Sequence, residues 1–353
     1  MKRNSGYIYA IAAAVLFGAS TPFSKIILEN HSPWMVAGVL YFGSGVGLSM
    51  LYLAKALFWP SSAEAKLSRK DIPGMAGATF FGGVLGPVFL MYGLSKTTAA
   101  SASLFLNLEA VCTALIAWFV FKEAYDRRIL CGMAFIVLGG VALTYSPEFI
   151  VKNLFGPALI ALACLSWGID NNFTRKVSAS DPVQISMVKS LIAGGTNLVL
   201  SSFAHARLPN LKIVLEGSFI GFAGYGLSLT FFVLGLRHIG TSRTGAYFSM
   251  APFVGAAISL LFFHDSMTVQ IGIAAILMAA GVYLHLTEKH SHEHEHEELA
   301  HNHRHVHDEH HQHNHDPDDP IGEPHAHFHQ HVWLRHSHPH FPDIHHRHSH
   351  DSQ

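Results

Sequence analysis

The residues of this chain that could do chemistry stand where ionisable groups are rare. Glu109 lies about halfway along the apolar stretch 98–121, where a free carboxylate is most costly. There it could take and release a proton during an exchange cycle, or hold the ammonium group of a solute. The plainer alternative is a protonated carboxyl hydrogen-bonded to a neighbouring helix for packing. Asp170 comes near the end of the apolar stretch 154–173, and Lys189 follows Pro182 by seven residues. At 1.5 Å per helical residue Lys189 is ~10 Å inside the next stretch, deep enough to pair with Asp170 as a gate or a carboxylate anchor. A lysine that snorkels to the interface is the alternative. Asn171 and Asn172 follow Asp170, and their counterparts earlier in the chain are Thr21 and Pro22 after Ser20. A proline there removes a backbone donor and can open a turn whose carbonyls meet a solute; polarity used for helix packing is the alternative. Tyr247, with Tyr92, Tyr225 and Phe248, could line an amphipathic cavity or simply face lipid.

A second chemistry is concentrated at the carboxyl end. Residues 290–353 hold 23 of the 28 histidines. His-x-His recurs at His292, His294 and His296, at His301, His303, His305 and His307, and at His325, His327, His329 and His331. Imidazole suits zinc, nickel and cobalt, and Glu293, Asp308 or Asp318 could complete a shell. The spacing is that of no zinc finger, so the expected mode is many exchangeable sites on a disordered strand. A merely polar, soluble tail and a pH-sensing tail are the alternatives.

The elements that must position these residues follow from composition. Half of the 353 residues are hydrophobic and only 13% are charged, against about 25% in soluble proteins. The charge is also divided: residues 1–289 carry +8 and residues 290–353 carry −9 with His neutral. Leu, Ile, Val and Phe are scarce in the second part, which cannot build a core alone. The first part is too apolar to be soluble. A bilayer span needs roughly 20 mainly apolar residues, and such windows number ten: 7–27, 34–57, 72–94, 98–121, 129–145, 154–173, 183–204, 216–236, 242–263 and 268–286. The first is read as a span rather than a signal peptide, because no cleavage region follows it and its pattern recurs.

Alternate loops on the amino-terminal side hold fourteen Lys and Arg, the opposite loops four. That bias places both termini, and the histidine tail, in the cytoplasm of a cell whose plasma (inner) membrane the chain spans. Cys112, Cys131 and Cys164 all fall inside apolar segments and give neither a disulfide framework nor a metal spacing. Gly43 and Gly47, Gly82 and Gly86, and Gly217 and Gly221 are pairs that let helices approach closely.

The spans repeat. Phe17-Gly18 and Phe23-Ser24-Lys25 align with Trp167-Gly168 and Phe173-Thr174-Arg175 at an offset of 150. Gly93-Leu94 and Phe121-Lys122-Glu123 align with Gly235-Leu236 and Phe263-His264-Asp265. Two copies of a five-helix unit follow, and because five is odd the second is inverted in the membrane, an arrangement of secondary transporters with a site near the midplane. Phe17-Gly18, the run Leu108-Glu109-Ala110-Val111, the Phe121-Lys122-Glu123 exit, Pro252 and the Phe263-His264-Asp265 exit resemble EamA-type members of the drug/metabolite transporter superfamily. The resemblance covers nearly all of residues 7–286 and implies a permease for small organic solutes, commonly an exporter of amino acids or related metabolites. Two positions depart from the family pattern, Ala110 where Pro is usual and Tyr41 where Arg is frequent, and Lys189 stands at the place matching Tyr41 in the second copy.

The expectation is therefore an all-α polytopic membrane protein of ten transmembrane helices in two inverted repeats, 1–145 and 146–289, with a disordered tail at 290–353. Its partners are a small-molecule substrate, the lipid bilayer and transition-metal ions at the tail, with no nucleic acid and no required cofactor. A divalent metal exporter and a metal-responsive sensor are the competing readings. Few His, Asp or Glu fall within spans, which disfavours the first, and ten helices exceed what an anchor needs. Neither a His-Glu-x-x-His, a nucleophile elbow nor a phosphate loop is present, so no enzymatic activity is expected.

Overall fold

The computed structural model describes residues 3–58, 67–121, 127–144, 154–177, 180–204, 206, 209–239, 241–287, 291–296, 299–305, 325–331 and 334–339. Its body is helical. In chain order the helices are α1 Arg3–Leu28, α2 Pro33–Phe58, α3 Ile72–Ala78, α4 Gly86–Ser95, α5 Ala99–Phe105, α6 Leu108–Phe121 and α7 Arg127–Thr144. They continue as α8 Phe155–Val177, α9 Pro182–Phe203, α10 Leu211–Gly221, α11 Ser228–Ile239, α12 Thr241–Phe248, α13 Ala251–Phe262 and α14 Val269–Leu286. Among the described residues six apolar stretches are long enough to cross a bilayer: Gly6–Leu28, Pro33–Phe58, Arg69–Ser95, Ala99–Ile116, Pro182–Phe203 and Leu211–Gly235. Shorter apolar helices run over Leu130–Leu143, Ala251–Phe262 and Val269–Leu284. The helix α8 is long as well, but Asp170, Asn171 and Asn172 lower its apolarity.

The helices start where the sequence offers side-chain acceptors for free amides. Thr98 accepts from the Ser101 N–H at 3.2 Å, Asn210 from Ile213 at 3.0 Å and Thr268 from Ile271 at 3.2 Å. Asp181 accepts from both Val183, at 2.8 Å, and Gln184, with Pro182 supplying a first residue that needs no acceptor.

Four helical columns are interrupted, and the interruptions recur in both halves of the chain. Thr79–Leu85 joins α3 to α4, and Phe222–Leu227 joins α10 to α11, as π-helical turns. A π turn holds one more residue than an α turn and leaves carbonyls out of line with their usual donors. The columns α5–α6 and α12–α13 are each broken by a two-residue turn, at Leu106–Asn107 and at Ser249–Met250.

The bundle is inverted in polarity relative to a water-soluble core. Phe203 is 76% exposed, Phe219 72% and Ile276 72%, while Asp170, Lys189, Ser44, Ser190 and Asn197 are buried. Apolar surface on that scale has lipid as its natural partner. Inside, Leu40, Leu90, Met91, Leu94, Ile160 and Trp167 belong to one apolar core. Close helix approach depends on glycine where α2 meets α10. A Cβ on Gly217 would come within 2.8 Å of Val39, and one on Gly43 or Gly221 would run into Ser218 or the Leu40 carbonyl.

Among the described residues of the tail are short strands. Four strands, β1 Ser291–His296, β2 Leu299–His305, β3 His325–His331 and β4 Leu334–Pro339, pair antiparallel as β1 with β4 and β2 with β3. The cause is in the pattern, since His-x-His alternation has the two-residue period of a strand. The register sets His301 opposite His329, His303 opposite His327 and His305 opposite His325. In the other pair His292 faces His338 and His294 faces His336. His307 lies outside the described residues.

Candidate functional site

Asp170 of α8 and Lys189 of α9 meet beside the first π turn, and Glu109 of α6 meets Asn171 on α8. Asp170 and Lys189 form a buried ion pair through Oδ2 and Nζ, so the ammonium is turned inward to a carboxylate rather than toward an interface. The second carboxylate oxygen of Asp170 accepts from Thr174 Oγ1 at 2.9 Å. A buried charge pair needs such further partners to offset its lost hydration. The pair also lies directly against Gly82: any Cβ there would collide with the Asp170 carboxylate.

Gly82 belongs to the π turn, and its freed carbonyl accepts from Tyr41 Oη at 3.1 Å and from Trp167 Nε1 at 3.0 Å. The Gly83 carbonyl accepts from Asn197 Nδ2 at 3.2 Å. Side chains of α2, α8 and α9 thus replace the backbone donors lost here to the π turn and to Pro87, which has no N–H. Tyr41, noted in the sequence only as a departure from a family arginine, is one of these donors. Trp167 and the π turn were not identified as site components from sequence, though paired glycines in Thr79–Leu85 and Phe222–Leu227 mark both turns.

Glu109 occupies the first turn of α6, just past the break at Leu106–Asn107, and is half-buried. Its Oε1 accepts from Asn171 Nδ2 at 2.8 Å, and the same amide reaches Thr113 Oγ1 at 3.3 Å. A carboxylate at the start of a half-helix also meets the positive end of the helix dipole. Glu109, Asp170 and Lys189 lie close enough to act on one another electrostatically.

The other sequence candidates are arranged differently. Asn172 is buried and bonds back to the Gly168 carbonyl at 2.8 Å, and Ser20 bonds back to Phe17 at 2.6 Å, so both amide and hydroxyl serve their own helices. Thr21 is buried within α1. Tyr247 in α12 stacks edge-on against Tyr7, with ring centroids 5.4 Å apart. An aromatic chain connects α1 to the polar centre: Phe17 meets Trp167, Tyr225 and Phe248, and Tyr225 meets Tyr41 at 5.0 Å.

The two halves of each broken column pack on different neighbours. The half-helix α5 packs on α13, whereas α6 rests on α7 and α8 and α12 rests on α1, α11 and α14. The column halves therefore meet at one end of the bundle and diverge at the other, the end where α1 begins and α14 finishes. Glu109 heads the diverging half. Among the described residues no three His, Cys, Asp or Glu side chains gather as a metal centre would require.

Comparison with known proteins gives the same picture. A transporter of Methanothermobacter thermautotrophicus without a characterised substrate is 27% identical over 298 residues, 80% of this chain and 87% of its own length. Probable amino-acid metabolite efflux pumps of Salmonella typhimurium and Escherichia coli are each 24% identical, covering 81% of this chain and 96% of theirs. A solved crystal structure superposes on 81% of this chain and 98% of its own with a TM-score of 0.61 at 14% identity, which shows a shared fold. The EamA-like transporter family matches residues 4–145 and again residues 154–287. Those matches take in every span and every polar group of the candidate site, and the chain belongs to the EamA-like transporter family.

Proposed function

We propose that this chain is a secondary-active exporter of a small organic metabolite of the amino-acid class, which it moves unchanged across the plasma (inner) membrane. The observation that carries this reading is the half-buried Glu109 carboxylate, held by Asn171 at the head of the half-helix that diverges from its counterpart. A half-buried carboxylate with one oxygen engaged can bind the ammonium of an amino acid, or a proton moved in exchange for it. Pumps named for amino-acid metabolites among the relatives support the same class of solute. The reading includes two inverted copies, 1–145 and 146–289, and both termini in the cytoplasm, as the loop cations argue.

The tail is read as a cytosolic appendage that binds zinc, nickel or cobalt through its histidines and leaves the transport path to the body. Metal export by the body is disfavoured by the lack of a gathered ligand set among its described residues.

Proteoliposomes loaded on the side of the termini with single radiolabelled amino acids test the proposal. Efflux of at least one, dependent on an imposed proton gradient, is the expected result. Movement of nickel or zinc with no amino acid moving would transfer the assignment to metal export.

A further inference from the structure

At the end of the bundle away from the chain termini, side chains outside the candidate site tie four helix ends together. Lys25, in the last turn of α1, donates to the Leu94 carbonyl and to the Thr97 carbonyl at 2.8 Å. These carbonyls belong to the last turn of α4 and the residues just beyond it, where Leu94 otherwise accepts only a long 3.5 Å bond from the Thr97 N–H, and a cation there also meets the negative end of the helix. The complementary contact lies beside it. The Ala100 N–H, in the first turn of α5, donates to Asp265 Oδ2 at 2.9 Å. The carboxylates that face Lys25 are those of Asp265 and Glu29.

One cation from α1 and one anion from the α13–α14 turn therefore fasten the short α4–α5 turn from both sides. Nearby, the rings of Phe23 and Phe263 meet edge to face at 5.5 Å. Deeper still, a Cβ on Gly255 would come within 2.6 Å of Ser103 Oγ and 2.7 Å of the Gly18 carbonyl, so α1, α5 and α13 converge with no space between them. Among the described residues the half-helices at the opposite end, α6 and α12, pack mainly on different neighbours.

We infer that Lys25 and Asp265 are the latch that closes the transport path at the end away from the chain termini, and that the latch must part for solute to pass there. Both contacts join a charged side chain to backbone groups at a helix end. Parting them returns each charge to the aqueous face and each helix end to water, so the latch can open without stranding a bare charge in the bilayer. Neither residue needs to touch the solute. The inference rests on the transporter reading but on no particular solute.

Thiol labelling tests it without a known substrate. Ser103, buried against Gly255, is replaced by Cys in a chain whose Cys112, Cys131 and Cys164 are changed to Ala. Vesicles of known sidedness are treated with a membrane-impermeant maleimide from the side opposite the termini. Slow labelling is expected in this parent. Lys25→Met and Asp265→Asn should each raise the rate about tenfold, a population shift of one decade. Lys25→Arg, which keeps charge and donors, should stay within about twofold of the parent. A short bifunctional thiol reagent across Phe23→Cys and Phe263→Cys should suppress the increase. If the triple-Ala background fails to insert, the same comparison runs on the chain with its own cysteines, the labelling of the Ser103 parent serving as reference. Unchanged rates in inserted, monodisperse Lys25→Met and Asp265→Asn chains overturn the latch. Raised rates in a chain that moves no amino acid would retain the latch and fault the choice of solute instead.

Discussion

Asn171 donates its side-chain amide to Glu109 at 2.8 Å, joining the head of α6 to α8 at the point where the broken column begins to diverge. The bond fixes one carboxylate oxygen and leaves the group half-buried. If Glu109 carries a proton or a substrate ammonium, its charge is what matters. Glu109→Gln preserves shape and hydrogen bonding while removing ionisation. Efflux should fall by at least tenfold and lose its dependence on pH, with insertion into the membrane unchanged. An unaltered rate and pH profile would leave Glu109 a packing role only.

The Asp170–Lys189 pair is buried, with side-chain exposures of 7% and 4%, so its two halves should not be separable. Removing one partner strands the other charge, at a typical cost of ~3–5 kcal/mol. Asp170→Asn or Lys189→Met alone should lower the melting temperature in detergent sharply. The double substitution should recover part of the loss, because the stranded charge goes with its partner. Additive losses would show that each residue has a separate role.

The polytopic helical character was legible because a bilayer imposes one length and one polarity on every helix that crosses it. Glu109, Asp170 and Lys189 were legible for the same reason, as costly groups in apolar surroundings. The arrangement around Gly82 was not. Its carbonyl accepts from Tyr41 and Trp167, and that need arises because the π turn gives the Gly86 N–H to Phe81 and leaves Gly82 facing Pro87, which has no N–H. No spacing rule in a glycine-containing apolar stretch distinguishes a π turn from an ordinary helix with close packing. Asn172 and Ser20 illustrate the opposite failure: each looked available, but an amide or hydroxyl in a helix can satisfy itself on a carbonyl three or four residues back.

His264 has φ 56°, the one non-glycine residue among those described with a positive φ. It sits in the turn that presents Asp265 to Ala100. A left-handed conformation costs a β-branched residue most and glycine least. His264→Gly should leave thermal stability unchanged or raised by up to about 1 kcal/mol. His264→Val should lower it by about 1–2 kcal/mol and speed labelling of Ser103→Cys, since the turn no longer places Asp265. Equal stability of the Gly and Val variants would remove the turn from any part in the latch.

The tail offers a test that separates architecture from composition. Truncation after Lys289 removes 23 of 28 histidines and leaves both family matches intact, so membrane insertion and amino-acid efflux should persist. Zinc binding, read by calorimetry on the purified full chain and the truncated chain, should be lost with the tail. In the full chain it should weaken as pH falls through about 6.5, where protons compete for imidazole nitrogen. The register adds a sharper expectation, because His301, His303 and His305 stand opposite His329, His327 and His325. Opposed residues share one face of a strand pair. If cross-strand histidines bind as pairs, replacing the first three with Ala should cost nearly as much zinc as replacing all six. If the histidines act singly along a loose chain, each set of three should remove the same number of ions and the losses should add. The second outcome would leave a metal-binding tail but remove any part for its strands, and zinc stoichiometry equal in the full and truncated chains would reject the tail as the metal site altogether.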